Sequence, residues 1–164
     1  MTSQGEPEWQ PEAREQFEQG YQAQMAGRLE EALECYRRSL AIQETAEAHT
    51  FLGWAMAHQG KHEEAIEECK RAIAVDPSFG NPYNDIGSYL IALGRDEEAI
   101  AWLERAKRAP RYEPRHFPYV NLATVYARRH KVHEAIRELQ HALAIEPRHV
   151  AARRELHRLI GLLN

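Results

Sequence analysis

Three columns of small residues recur in step along this chain. The first is Gly20, Gly53, Gly87 and Ala123; the second is Ala32, Ala65, Ala99 and Ala135; the third is Ser39, Ala72, Ala106 and Ala142. In every column the separations are 33, 34 and 36 residues. A period of this length does not describe one central core. It implies an array of like supersecondary units, each burying its apolar surface against the next. Four segments align around the columns: GRLEEALECYRRSLAIQE from Gly27, GKHEEAIEECKRAIAVDP from Gly60, GRDEEAIAWLERAKRAP from Gly94 and HKVHEAIRELQHALAIEP from His130.

Each unit reads as two helices. The first ends at the Gly27, Gly60 or Gly94 column, where glycine suits a left-handed helix terminus. The second restarts almost at once, with apolar residues at helical spacing. In the second unit these are Ala65, Ile66, Cys69, Ala72, Ile73 and Val75; in the third they are Ala99, Ile100, Leu103 and Ala106. Spacings of three and four put them on one face. The small columns mark where paired helices come close, since bulk there would push them apart. Prolines fall near the expected helix ends, at Pro77, Pro82, Pro110, Pro114, Pro118 and Pro147, as a residue excluded from helix interiors should. The two extra residues before the fourth unit belong in the turn APRYEPRHFP, residues 109–118. Beyond Pro147, the stripe Val150, Ala152, Leu156, Leu159, Ile160 and Leu163, with Arg153, Arg154 and Arg158 opposite, predicts a capping helix over 148–164. The expected organisation is a flexible leader at 1–11, with Trp9 packed locally or not at all, then four units within 12–147 (about 13–45, 46–79, 80–113 and 116–149), then the cap.

The columns resemble the tetratricopeptide repeat (TPR) motif, in which an aromatic, Leu-Gly and a second aromatic in the first helix are followed by Ala, an aromatic, Ala and Pro in the second. The second unit carries Leu52-Gly53, Met56, Gly60, Ala65, Cys69, Ala72 and Pro77. The third carries Tyr83, Ile86-Gly87, Leu90, Gly94, Ala99, Leu103 and Ala106, and the fourth Tyr119, Leu122-Ala123, Tyr126, Ala135, Leu139, Ala142 and Pro147. The first unit matches mainly in its second helix, at Ala32, Tyr36 and Ser39, while Gln16, Gln19 and Ala23 stand where apolar residues are expected. The resemblance covers roughly residues 13–147. It implies an all-α fold, a right-handed superhelix (α-solenoid) of antiparallel helix hairpins with about nine helices in all.

The family generally binds peptides or proteins on a concave face lined by first helices. Mapped onto this sequence, that face takes Phe17, Tyr21, Gln24 and Met25 from the first unit and Glu47, Thr50, Trp54 and His58 from the second. It takes Asn81, Asn84, Ser88 and Ile91 from the third, and Phe117, Val120, Thr124 and Arg128 from the fourth. The set runs from aromatic to amide and hydroxyl. Large rigid rings are enriched at binding hot spots, and an amide such as Asn84 can both donate to and accept from a peptide backbone. Phe17, Tyr21 and Trp54 read equally as packing between first helices, and Asn81, beside Pro82, also reads as a helix cap. Some family members grip a carboxylate terminus with paired Lys and Asn. Here the matching places hold Phe17 and Tyr21 with no Lys nearby, so that subclass is not implied.

The expectation is therefore a non-catalytic module that binds a peptide segment of another protein, as an adaptor or assembly factor. No phosphate loop, nucleophile elbow or acid–base pair is present, and no cofactor is implied. His133, His141, His149 and His157 recur every eight residues, which on a helix is ~12 Å, too far for one metal. Cys35 and Cys69 are too few for a disulfide framework and suit a reducing, cytoplasmic setting. Net charge is −4 with 28% charged residues, which argues against a dedicated nucleic-acid binder. No apolar run is long enough to cross a membrane. The charge is uneven: residues 1–82 hold 7 basic and 15 acidic residues, and 83–164 hold 14 and 10. A second expectation follows, self-association between an acidic and a basic end.

Overall fold

The computed structural model describes residues 8–163. Among these there are nine helices and one isolated β-bridge, with no strand. The helices are α1 (Pro11–Met25), α2 (Leu29–Ile42), α3 (Ala46–His58), α4 (His62–Val75), α5 (Asn81–Ala92), α6 (Asp96–Arg108), α7 (Phe117–Arg128), α8 (Val132–Ile145) and α9 (Val150–Gly161). None of them is long and apolar enough to cross a membrane.

Each hairpin closes by the same device. The second residue beyond the first helix is left-handed, with φ of 77° at Gly27, 80° at Gly60 and 75° at Gly94. The next amide then reaches back to a carbonyl in the last turn: Arg28 to Ala23 at 2.9 Å, Lys61 to Met56 at 3.1 Å and Arg95 to Leu90 at 2.8 Å. This pairing ends one helix and turns the chain into the next within a few residues. The fourth hairpin copies it, Lys131 to Tyr126 at 2.9 Å, but puts His130 at φ 59° where its predecessors have glycine. Second helices open without side-chain caps. Their first turns instead carry Glu30 and Glu31, Glu63 and Glu64, Asp96 to Glu98, and Glu134, where negative charge opposes the helix dipole.

The small columns lie at the helix crossings. A Cβ on Gly87 would stand 2.5 Å from Leu103, and Ala32, Ala65, Ala99 and Ala135 are all fully buried. No single core results. One cluster joins α1, α2 and α3 around Tyr36 and Leu52; a second runs from α4 to α7 around Ile86, Leu103 and Leu122; a third joins α7, α8 and α9 around Leu139 and Leu159. Consecutive helices pack throughout, and α1, α3, α5 and α7 also touch their next-but-one neighbours, whereas the second helices form no such row. The array therefore curves toward its first helices, an all-α solenoid.

The end regions differ in part from expectation. Residues 1–7 of the expected leader lie outside the described residues. Trp9 is packed, its ring 5.2 Å from Phe17, and the Gln43 side chain binds the Gln10 amide and the Glu8 carbonyl at 2.7 and 2.9 Å. At the other end only Ala152, Leu156 and Leu159 of the expected capping stripe pack against the fourth hairpin. Val150, Ile160 and Leu163 are exposed, because α9 turns a narrower face inward than the stripe suggested.

The two extra residues fall where the period located them. The connections before α3, α5 and α9 are residues 43–45, 76–80 and 146–149, whereas the one before α7 runs 109–116. The uneven charge is also partly internal. Arg95 pairs with Glu63 at 2.9 Å, Arg128 with Asp96 at 3.3 Å, Arg129 with Glu97, and Lys107 with Glu138 at 2.9 Å. In the first three pairs a basic residue of a later unit meets an acid of the preceding one, and in the fourth the direction is reversed.

His130 sits in a backbone region that disfavours side chains, and no such penalty applies to glycine. His130→Gly should therefore raise stability by about 1 kcal/mol. Gly94→Ala should lower it by about as much, since its Cβ would meet nothing within 4 Å and only the backbone would change. Urea unfolding followed by circular dichroism measures both.

Candidate functional site

The concave row encloses a cavity of about 160 Å³ between α3, α5, α7 and the 109–116 connection. Its walls are Thr50, Phe51 and Trp54 from α3, Asn81, Asn84 and Asp85 from α5, Phe117 from α7, and Tyr112 and Pro114 from the connection. That connection is bent over the groove edge by several ties. The Arg111 amide donates to Ser78 O at 3.0 Å, and its carbonyl accepts from the Gly80 amide at 2.8 Å. The Arg111 guanidinium binds Glu47 at 2.8 Å and Asp76 at 2.6 Å and lies 4.3 Å from the Phe79 ring centre. Tyr112 then seats directly on Gly80, where an added Cβ would come within 2.5 Å of it.

The sequence-derived face divides into three groups. Thr50, Trp54, Asn81, Asn84 and Phe117 line the cavity. Thr50 is buried, its hydroxyl donating to Ala46 O at 2.7 Å. Asn84 is buried too, and its Oδ1 accepts from Asn121 at 2.9 Å, so this amide braces α5 against α7 rather than standing free for a peptide. Asn81 is the first residue of α5, behind Gly80. It does not cap the helix; its amide donates to Glu113 O at 3.2 Å and holds the connection.

The second group lies on the open surface beyond the cavity. Tyr21 and Met25 are 43% and 52% exposed. His58, Thr124 and Arg128 are exposed, and Ser88 is half-buried. His58 Nδ1 lies 2.8 Å from Trp54 O, the Thr124 hydroxyl donates to Val120 O at 3.1 Å, and Arg128 is engaged with Asp96.

The third group is buried or half-buried and engaged with neighbouring side chains. Phe17 is half-buried between Trp9, Tyr36 and Phe51, with ring centres 5.2, 5.7 and 5.1 Å away. Gln24 is buried and accepts from the Tyr36 hydroxyl at 2.8 Å, because it faces α2 instead of the groove. Glu47 is taken up by Arg111, Ile91 packs against the α4–α7 cluster, and Val120 packs into the α7–α9 cluster. Of the alternatives for the large rings, Phe17 is packing, Tyr21 is surface and Trp54 is cavity wall.

The sequence reading missed Phe51, Asp85, Tyr112 and Pro114. The first two share one repeat position, two residues before Gly53 and Gly87, and that column alone could have found both. Tyr112 and Pro114 lie in the lengthened connection, where the 36-residue separation was the available signal. Among the described residues no group of three or more His, Cys, Asp or Glu could hold a metal. His149 has a structural task instead: its Nδ1 accepts from the Ala152 amide at 3.1 Å and caps α9. Burial pushes the Cys69 thiol well above its ordinary range, which makes it inert.

Asp85 stands out electrostatically. Burial pushes its carboxyl up to about 7, against a hydrogen bond from Asn84 that acts the other way. Below pH ~4 both folded and unfolded forms are protonated. As pH rises from there through 7 the unfolded chain releases the proton more readily, so stability falls and then levels off. The half-buried carboxylate keeps some hydration, so its ionisation in the fold costs about 2 kcal/mol. Asp85→Asn should therefore gain about 2 kcal/mol at pH 8, roughly 6 °C in melting temperature, with little difference at pH 4; parallel melts at the two pH values measure this.

Tetratricopeptide repeat models match residues 17–82 and 81–111. The small glutamine-rich tetratricopeptide repeat-containing protein 2 of Mycosarcoma maydis is 29% identical over 83 residues, 50% of this chain and 24% of its own length. The TPR repeat-containing thioredoxin TTL4 of Arabidopsis thaliana is 32% identical over 74 residues, 44% of this chain and 11% of its own. The chain thus spans less than a quarter of the length of these curated relatives. In three dimensions it is similar to Pseudomonas aeruginosa PilF, with TM-score 0.84 and 24% identity over 90% of this chain and 67% of the other. It is also similar to YrrB, described as a TPR protein with an unusual peptide-binding site, with TM-score 0.69 and 19% identity over 87% and 73%. With the repeat matched in sequence and the hairpin array in structure, the chain belongs to the tetratricopeptide repeat family.

Proposed function

We propose that the face formed by α1, α3, α5 and α7 binds a peptide segment of another protein, and that the chain acts in this way as an adaptor or assembly factor. TPR proteins generally bind other proteins, and the one observation that carries the finer reading is the aromatic-walled cavity opening on the concave side, with Trp54 and Phe117 in its walls. Tyr21 and Met25 continue that apolar surface toward α1, both about half exposed. The groups that shape the cavity are held by internal hydrogen bonds at Thr50, Asn81 and Asn84. A preformed surface loses little freedom on binding, so an extended segment could dock by shape and ring contacts. YrrB, described as a TPR protein with an unusual peptide-binding site, supports the reading by likeness of fold.

The test is a random peptide library panned over the full chain. Retained peptides should bind Trp54→Ala and Tyr21→Ala roughly tenfold more weakly than the unmodified chain. Glu67→Gln, on an exposed position of the second-helix side, should leave them unchanged. Equal binding by both aromatic variants, or no retained peptide at all, overturns the proposal.

A further inference from the structure

The cavity combines two features that do not ordinarily stand together uncompensated. Four aromatic rings wall it, those of Phe51, Trp54, Tyr112 and Phe117. The carboxylate of Asp85 also opens into it, and no Lys, Arg or His lines it. The described ring contacts hold Phe51 to Trp54 at 5.7 Å on one side and Phe117 to His116 at 4.3 Å on the other, but none bridges the gap.

Basic residues are close at hand in the chain and are engaged elsewhere. Arg111, in the connection that roofs the cavity, is held by Glu47 and Asp76. Arg115 donates to the carbonyls of Ala109 and Pro110 at 3.3 and 2.7 Å. On α7, Arg128 goes to Asp96. On α3, His49 is held by Glu68 and Glu44. His116, beside Phe117, is shifted toward its neutral form by burial and by His149. The titratable groups that sense Asp85 are Cys69 from α4, Tyr89 from α5 and Tyr112 from the connection, none of which carries positive charge. A partly buried carboxylate with no cation to pair with is costly, and aromatic faces attract a cation placed within ~6 Å of them.

We propose that this cavity receives the side chain of a lysine or arginine from the bound peptide, with its methylenes between the rings and its charge at Asp85. The inference rests on the peptide-binding reading above and adds the chemistry of the residue recognised. The occupant supplies the counter-ion that the chain withholds. An aliphatic side chain of equal length would fill the same space but leave the carboxylate unpaired. Because Asp85 must be ionised to pair, recognition weakens as pH falls below 7.

The test uses blocked single residues, N-acetyl-lysine methylamide, N-acetyl-arginine methylamide and N-acetyl-norleucine methylamide, titrated into the full chain at pH 8. The readout is the Trp54 indole N–H signal in proton–nitrogen NMR, distinguished from Trp9 and Trp102 by Trp54→Phe. A basic probe should shift that signal saturably. Binding should be roughly tenfold weaker for norleucine, for Asp85→Asn and at pH 5. No saturable shift with either basic probe, equal binding of norleucine, or an unchanged response in Asp85→Asn each overturns the inference. The norleucine comparison uses the unmodified chain and so is independent of how the variant folds. Failure of the underlying reading is registered separately, in the peptide panning with Tyr21→Ala and Trp54→Ala. Retained peptides that lack a basic residue would leave that reading standing and remove this one.

Discussion

Close approach between consecutive helices is the constraint on which the rest of this structure depends. A helix of about 14 residues cannot bury its apolar stripe alone, and here each helix between α1 and α9 is covered by the helix before it and the helix after it. The approach is possible only because a small residue (Gly, Ala or Ser) occupies each crossing, as where Leu103 lies against Gly87. The left-handed residue that closes each hairpin has the same purpose. It reverses the chain within a few residues, so two short helices lie side by side without a loop that would have to find its own packing.

The groove is a by-product of that arrangement, modified in one place. Repeated hairpins tilted the same way produce a curved row of first helices, and such a row is shallow. Depth comes from the connection between the third and fourth hairpins. Tyr112 is laid over Gly80, and Arg111 anchors the backbone to Glu47 and Asp76 on either side. A regular solenoid thereby acquires a walled recess at this position. Asp85 becomes conspicuous for the same reason: the roof that makes the recess also strips water from its carboxylate.

The legible and illegible parts of this molecule divide along that line. Hairpins, turn residues and the buried columns follow from periodic contacts, and periodic contacts leave a periodic trace. Gly27, Gly60 and Gly94 could be assigned before any coordinates were known. The cavity was legible only where it shares the repeat, as at Trp54 and Phe117. Gln24 went to the wrong face because a position one residue from Met25 points a quarter-turn away, toward Tyr36. Tyr112 and Pro114 left no periodic trace, since their places depend on the path of an irregular segment and on ion pairs formed with residues far along the chain.

One of those ion pairs reaches beyond the site. A solenoid with neighbour contacts alone resembles a zipper, free to open from either end one hairpin at a time. Arg111 joins residues 64 and 35 positions away, at Glu47 and Asp76, and so fastens the second hairpin to the chain leading into the fourth. A tie of this kind couples the opening of the second hairpin to that of the third, where neighbour contacts alone would let them part singly. The recess lies beside that tie, so local fraying at the ends would leave it intact.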